Sequence, residues 1–306
     1  MTTVEAKRAA IRDDLAARGG VLVAFSGGVD SSVVAAIARD ALGERAVACT
    51  AKSETLPAAE LEGAKRTAAE IGIRHEIVEF SELESDDFVK NDGDRCYHCR
   101  TMRLGAMFER AAELGIDVVC DGTNASDPGS GHRPGLRAVE ELDAYSPLLV
   151  HDVSKDEVRE IARCYELSVA EKPSMACLSS RIPTGLSVTE ERLSRVERAE
   201  TILRTWGFSQ FRVRDHDGLA RIELAPSELR AALDVDFVEA AREHLADLGF
   251  DHVTLDLHGY RTGSVSPAGE SDTADEPVVA DVFAAEYPTS DPPTSDSPAS
   301  DPPTSE

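Results

Sequence analysis

Short apolar runs alternate with stretches of helical period through the first half of the chain. "GVLVAF" (20–25), "AVACTA" (46–51), "RHEIVEF" (74–80) and "IDVVCDG" (116–122) have the length and bounding residues of strands. Between them, apolar positions recur at helical spacing from Asp30 to about Leu42, from Pro57 to Ile71 and from about Cys99 to Leu114. Strand followed by helix, repeated, predicts parallel strands joined by crossovers and hence an open α/β sheet. Ligands of such sheets bind outside the carboxyl ends of the strands.

The rhythm changes at about Ser187. A helical pattern, "VTEERLSRVERAETILRTWG" (188–207), precedes two strands, "QFRVRDH" (210–216) and "LARIEL" (219–224). Helical segments over roughly 226–246 and a last strand, "HVTLDLHG" (252–259), complete what reads as a smaller α+β unit. From Ser264 the chain has ten acids and no base and ends in "SDPPTSDSPASDPPTSE", which repeats Ser, Asp, Pro and Thr; it is too polar to offset its ordering entropy, so a disordered acidic tail is expected. The predicted organisation is a domain over 1–186, a small α+β domain over 187–263 and a tail over 264–306.

Charge narrows the possible partners. The formal net charge is -25, and without the tail 47 acids still face 32 bases, or -15; only six of the bases are Lys. Such a surface suits a protein that stays soluble in concentrated salt, so a halophilic source is expected, with structure lost when salt is withdrawn. It argues against a broad nucleic-acid surface, which needs clustered Lys and Arg. No run approaches the roughly 20 apolar residues that cross a bilayer, and the charged first 20 residues do not read as a signal peptide, so the expected location is the cytoplasm. Thiols are kept reduced there, and the six cysteines are not read as a disulfide framework. Cys49, Cys120 and Cys164 fall in apolar or helical segments and are expected to act as small hydrophobes.

The most specific local signal is "VLVAFSGGVDSSVVAAIA" (21–38): a strand, a glycine pair, then a helix with Ser31 and Ser32 in its first turn. Backbone N–H groups of such a turn converge with the positive end of the helix dipole, an arrangement that suits phosphate. No Gly-Lys-Ser/Thr follows, so this is not a Walker loop. Ser-Gly-Gly-x-Asp-Ser resembles the PP-loop of the ATP pyrophosphatase superfamily, which cleaves ATP between the α- and β-phosphates. That resemblance implies that Ser26, Gly27, Gly28, Asp30, Ser31 and Ser32 cradle pyrophosphate, with Mg²⁺ neutralising it, and that Gly122, Thr123 and Asn124 of "VVCDGTNASD" form a second nucleotide-contacting turn.

Cys96 and Cys99 in "DRCYHCR", and Cys177 in "EKPSMACLSSRIPTG", are placed in irregular segments, unlike the other three cysteines. Taken alone, a Cys-x-x-Cys pair admits a redox switch, a zinc site with His98 as a further ligand, or no role. The PP-loop, "DRCYHCR", "DGTNASD", "KPSMACLSSRIPTG" and "RVERAE…FRVRDH…ARIEL" together resemble the LarE family, ATP-dependent sulfur transferases of nickel-pincer cofactor synthesis, over residues 1 to about 260. The resemblance implies a pyridinium-3,5-dicarboxylate mononucleotide substrate whose carboxylates are adenylylated and converted to thiocarboxylates. It further implies either a sacrificial Cys177 or, as the Cys-x-x-Cys pair favours, a [4Fe-4S] cluster on Cys96, Cys99 and Cys177 that supplies sulfide, with zinc as the alternative metal. Ser180 and Arg181 then resemble family contacts to the substrate phosphate, and Glu200 and Glu223 match acids grouped with Cys177; Arg212 and Arg214 alternate along a strand and so face one side, where two guanidiniums could grip a phosphate. A homo-oligomer is also implied, and the sulfide donor is left open. The rival readings are a tRNA-thiolating enzyme, an amide ligase of the NAD- or GMP-synthase type, and a non-catalytic ATP-binding protein with structural zinc.

Overall fold

The computed structural model describes residues 3–127, 134–173 and 176–260. The tail expected over 264–306, and the last three residues of the expected small domain, lie outside them. The first half runs α1 (Val4–Ala17), β1 (Val21–Ala24), α2 (Val29–Leu42), β2 (Ala46–Lys52), α3 (Ala58–Ile71), β3 (Arg74–Glu79), α4 (Asp86–Val89), α5 (Arg95–Glu113) and β4 (Val119–Cys120). It continues through α6 (Pro134–Glu141), α7 (Pro147–Val150) and α8 (Lys155–Cys164).

The four strands are all parallel in the order β3-β2-β1-β4. From β1 the chain winds outward to β3, then returns to lay β4 against the other side of β1, with Leu22 opposite Val119 and Val23 opposite Cys120. The winding direction therefore reverses between β1 and β4, and a crevice opens at their carboxyl ends. The apolar runs that announce the strands are buried between helical layers. On one side Val33, Ile37, Ile11 and Ile161 pack on β1 and β2; on the other Leu104, Met107 and Ala111 of α5 pack on Leu22 and Val119. Burial also raises the Cys49 and Cys120 thiols to about 12, as fits small apolar side chains. Cys164, in contrast, ends α8 on the surface and is exposed, contrary to the hydrophobic role expected of it: the outer face of that helix is polar.

α9 (Glu190–Thr205), β5 (Phe211–His216), β6 (Leu219–Leu224), α10 (Val235–Asp247) and β7 (His252–Leu255) follow. β5 and β6 pair antiparallel and β7 adds parallel to β6. Leu203, Phe211, Val213, Ile222, Phe237 and Leu245 give this sheet a core of its own. Among the described residues no helix is long and apolar enough to cross a membrane.

Candidate active site

Both glycine turns lie at the carboxyl ends of β1 and β4. Gly27 has φ +69°, and a Cβ there would stand 2.7 Å from the Ala64 Cα of α3, so only glycine permits the turn. Gly122 is held as tightly: a Cβ would meet the Ser31 backbone nitrogen at 2.9 Å. Asn124 Nδ2 donates to Asp30 Oδ1 at 3.1 Å, tying the second turn to the first. The N-cap of α2 is Gly28, which offers no side-chain acceptor, so the dipole's positive end faces the crevice uncapped. Ser31 Oγ bonds back to the Gly28 carbonyl, and Ser32 Oγ is buried with no partner among the described residues. Two lysines from elsewhere flank the turn. Lys155 pairs with Asp30; Lys172 donates to the Gly27 carbonyl at 3.2 Å and pairs with Glu60 at 2.8 Å. The turn lacks a lysine in sequence, and the fold brings two to it.

Upstream, Thr50 Oγ1 donates to the Phe25 carbonyl at 2.8 Å and lies 2.8 Å from His75 Nε2. The hydroxyl has one proton, already committed to Phe25, so Nε2 carries the imidazole's proton. Burial lowers the His75 pKa and keeps the ring neutral.

A cavity of about 460 Å³ runs from these turns to the thiols: Ser26, Asp30, Ser31, Gly122 and Thr123 line one part, Cys96, Cys99 and Cys177 another. The pair is not in a loop as expected, because α5 begins at Arg95 and takes both cysteines into its first turns. Their spacing is therefore helical: Cys96, Cys99, Arg100 and Arg103 form an i, i+3, i+4, i+7 stripe toward the cavity. Burial pushes the Cys99 thiol up to about 12, and the thiol donates to Glu82 Oε1 at 3.4 Å. Burial opposes ionisation of Cys177 as well, but Arg95, the Ser179 hydroxyl, Arg103 and Arg181 outweigh it, so the Cys177 pKa is lowered. Among the described residues no three His, Cys, Asp or Glu side chains gather closely enough to hold a metal ion, and His98 packs edge-on against Tyr97.

The Cys177 segment is pinned by its own Arg181 and by side chains of α9 and β5. Arg181, fully buried, donates through Nε and Nη2 to both Glu200 oxygens at 2.8 and 3.0 Å, and through Nη1 to the carbonyls of Ala176 and Cys177. Arg214 donates to the Ser180 carbonyl and to Glu223, both at 2.8 Å. Arg212 lies with its guanidinium 4.9 Å from the centre of the Tyr260 ring. Glu200, Glu223, Arg212 and Arg214 are thus buried groups, not solvated surface charges.

The asparagine synthase family profile matches residues 5–104. An uncharacterized protein of Synechocystis sp. is 43% identical over 80% of this chain and 91% of its own length. The pyridinium-3,5-bisthiocarboxylic acid mononucleotide synthase of Lactiplantibacillus plantarum is 35% identical over 87% of this chain and 96% of its own length. The chain belongs to the LarE family. More distantly, the tRNA-specific 2-thiouridylase MnmA of Bradyrhizobium sp. is 29% identical over 54% of this chain and 50% of its own.

As a LarE-family member the protein is an ATP-dependent, sulfur-transferring enzyme. Residues that sequence reading passed over now join its site: Lys155, Lys172, Glu82, Arg95, Arg100 and Arg103. Reading the helix from Arg95 instead of about Cys99 exposes the stripe ending at Arg103. Glu82 carries no such signal, because it sits in a 3-10 turn after β3.

Proposed function

We propose that this enzyme adenylylates the carboxylates of a pyridinium-3,5-dicarboxylate mononucleotide with release of pyrophosphate, and converts them to thiocarboxylates. The observation that carries this reading is the single cavity shared by the nucleotide turns and three thiols. A carboxylate repels nucleophiles; when its oxygen attacks the α-phosphate of ATP and pyrophosphate leaves, that oxygen becomes part of an AMP leaving group that sulfur can displace. The Ser26–Ser32 turn, with Lys155 and Lys172, would receive the β- and γ-phosphates. Mg²⁺ would arrive with the nucleotide, needing few protein ligands, and Asp30 and Asp127 line the cavity for it.

Ser180, Arg212 and Arg214 would hold the substrate phosphate, while Arg181, its donors spent on Glu200 and on the Ala176 and Cys177 carbonyls, would position the Cys177 segment. Glu223 orients Arg214. Three thiols line one cavity with Arg95, Arg100 and Arg103; among the described residues they do not converge on a single-ion site, but thiolates are the ligands that a [4Fe-4S] cluster takes. Cys96, Cys99 and Cys177 are the residues that would hold a [4Fe-4S] cluster, which when bound would supply sulfide. The work would be done in the cytoplasm, where thiols stay reduced.

Purified enzyme should release pyrophosphate with the pyridinium mononucleotide and give a product heavier by one sulfur-for-oxygen exchange per carboxyl in mass spectrometry. Release stimulated by tRNA alone would replace this reading with tRNA thiolation, and release with ammonia alone with amide synthesis. Iron and sulfide are expected in protein purified without oxygen; one zinc and no iron rejects the cluster.

A further inference from the structure

The stripe on α5 ends at Arg103, and its surroundings set it apart from its neighbours. Arg95 is committed to Asn91 and the Ser179 carbonyl, and Arg100 to the buried Asp121. Arg103 makes one hydrogen bond among the described residues, from Nη2 to Glu82 Oε1 at 3.2 Å. Its Nε is buried without a partner, as is the second Glu82 oxygen, so the pair meets at a single point and most of the guanidinium fork is unspent. Glu82 itself is fully buried, fixed by the Thr55 hydroxyl at 3.0 Å and by the Cys99 thiol. A carboxylate in that position requires a cation, and it fixes where that cation stands.

Arg103 also stands at a junction. A second cavity of about 170 Å³, lined by Gly28, Lys155 and Lys172, adjoins the first. Ser26 at the nucleotide turn, Cys177 at the thiols and Arg103 border both. If the turn takes the β- and γ-phosphates, the α-phosphate and the carboxyl joined to it occupy the interval between Ser26 and Cys177. Its charge does not grow in the first half-reaction, where the new charge leaves on pyrophosphate. It grows in the second: an anionic sulfur nucleophile forms the C–S bond, the C–O bond to phosphate breaks, and that electron pair departs with AMP, whose phosphate becomes a dianion.

We propose that Arg103, held by the buried Glu82, grips the α-phosphate of the acyl-adenylate and stabilises AMP as the leaving group of the sulfur step. The proposal rests on the adenylylation reading above, so its test separates the two. In Arg103→Ala the sulfur step falls about 10²–10³-fold, while pyrophosphate exchange falls by less than about tenfold. Arg103→Lys keeps part of the rate, and methylguanidinium restores part of it to Arg103→Ala, which a purely structural role would not allow. Glu82→Gln leaves the cation in place but loosely held, and weakens the sulfur step less than Arg103→Ala.

Calorimetry with AMP alone is independent of the substrate's identity: affinity falls about tenfold in Arg103→Ala. Circular dichroism and residual pyrophosphate exchange establish that each variant is folded. Equal loss in both half-reactions, or unchanged AMP affinity in a folded Arg103→Ala, overturns the proposal whatever the substrate. Failure of the wild type to release pyrophosphate with the pyridinium mononucleotide overturns the functional reading instead, and the AMP measurement then decides Arg103 separately.

Discussion

Replacing Glu200 by Ala tests how the Cys177 segment is held. Arg181 is 0% exposed and Glu200 4%, and two N–H groups of one meet both oxygens of the other. Removing the carboxylate leaves a guanidinium in the interior without its counter-charge, at a cost of about 3–5 kcal/mol. It also strips the acceptor from the Val213 backbone N–H, 3.2 Å from Glu200 Oε1. Against a total stability of about 5–15 kcal/mol this is a large loss. At roughly 2–4 °C per kcal/mol for a domain of this size, the melting midpoint should drop by roughly 6–20 °C. Thermal unfolding followed by circular dichroism reads the shift. Glu200→Gln, which keeps an oxygen for Val213, should fall between wild type and Glu200→Ala. The double replacement Arg181→Met with Glu200→Leu should recover part of the loss, because the penalty lies in stranding one charge and not in lacking the pair. A midpoint within about 2 °C of wild type for Glu200→Ala would refute the reasoning, since it would mean the guanidinium finds water or another acceptor without difficulty.

Two further outcomes follow from titration. Iodoacetamide should modify Cys177 at a lower pH than a free thiol such as glutathione, while Cys99, raised to about 12 by burial, stays unmodified at neutral pH; peptide mapping that finds Cys99 labelled first contradicts the electrostatics. Burial lowers the His75 pKa, so the unfolded chain binds the proton more readily than the folded one. Stability from its neutral ring is present above the unfolded value and is lost as pH falls through the folded value. Urea unfolding from pH 7 to pH 5 should therefore weaken the wild type more than His75→Gln, and parallel losses would show that His75 is not responsible.

The parallel sheet was legible because each strand's apolar run is set off from its neighbours by polar or glycine boundaries, and because "SGGVDSS" allows few conformations. The cysteine pair reads as loop for a physical reason, although it lies in α5. "DRCYHCR" is polar and charged, and a helix whose first turns face a solvent-accessible cavity has no apolar stripe to announce it; the stripe there is made of thiols and guanidiniums. Glu82 and Lys172 were invisible for another reason. Each acts through a partner distant in sequence, Glu82 on Cys99 and Arg103, Lys172 on Gly27, and periodicity carries no record of such pairs.

The same kind of long-range partnership ties the Cys177 segment to side chains from both halves of the chain. The nucleotide turns belong to β1 and β4, and the segment carrying Cys177 leaves that sheet, yet its carbonyls are gripped by Arg181, whose counter-charge Glu200 sits on α9, and by Arg214 on β5. Its other flank is held by Asn91, whose amide donates to the carbonyls of Ile182, Pro183 and Leu186. The thiol therefore takes its position from side chains of both halves. A reaction that must activate a carboxylate with one group and attack it with another depends on that position, since misplacement of about 1 Å costs on the order of 10²-fold in rate. Buried ion pairs that add little net stability have a geometric consequence here: Arg181 with Glu200, and Arg214 with Glu223, hold the carbonyls of the Cys177 segment in place.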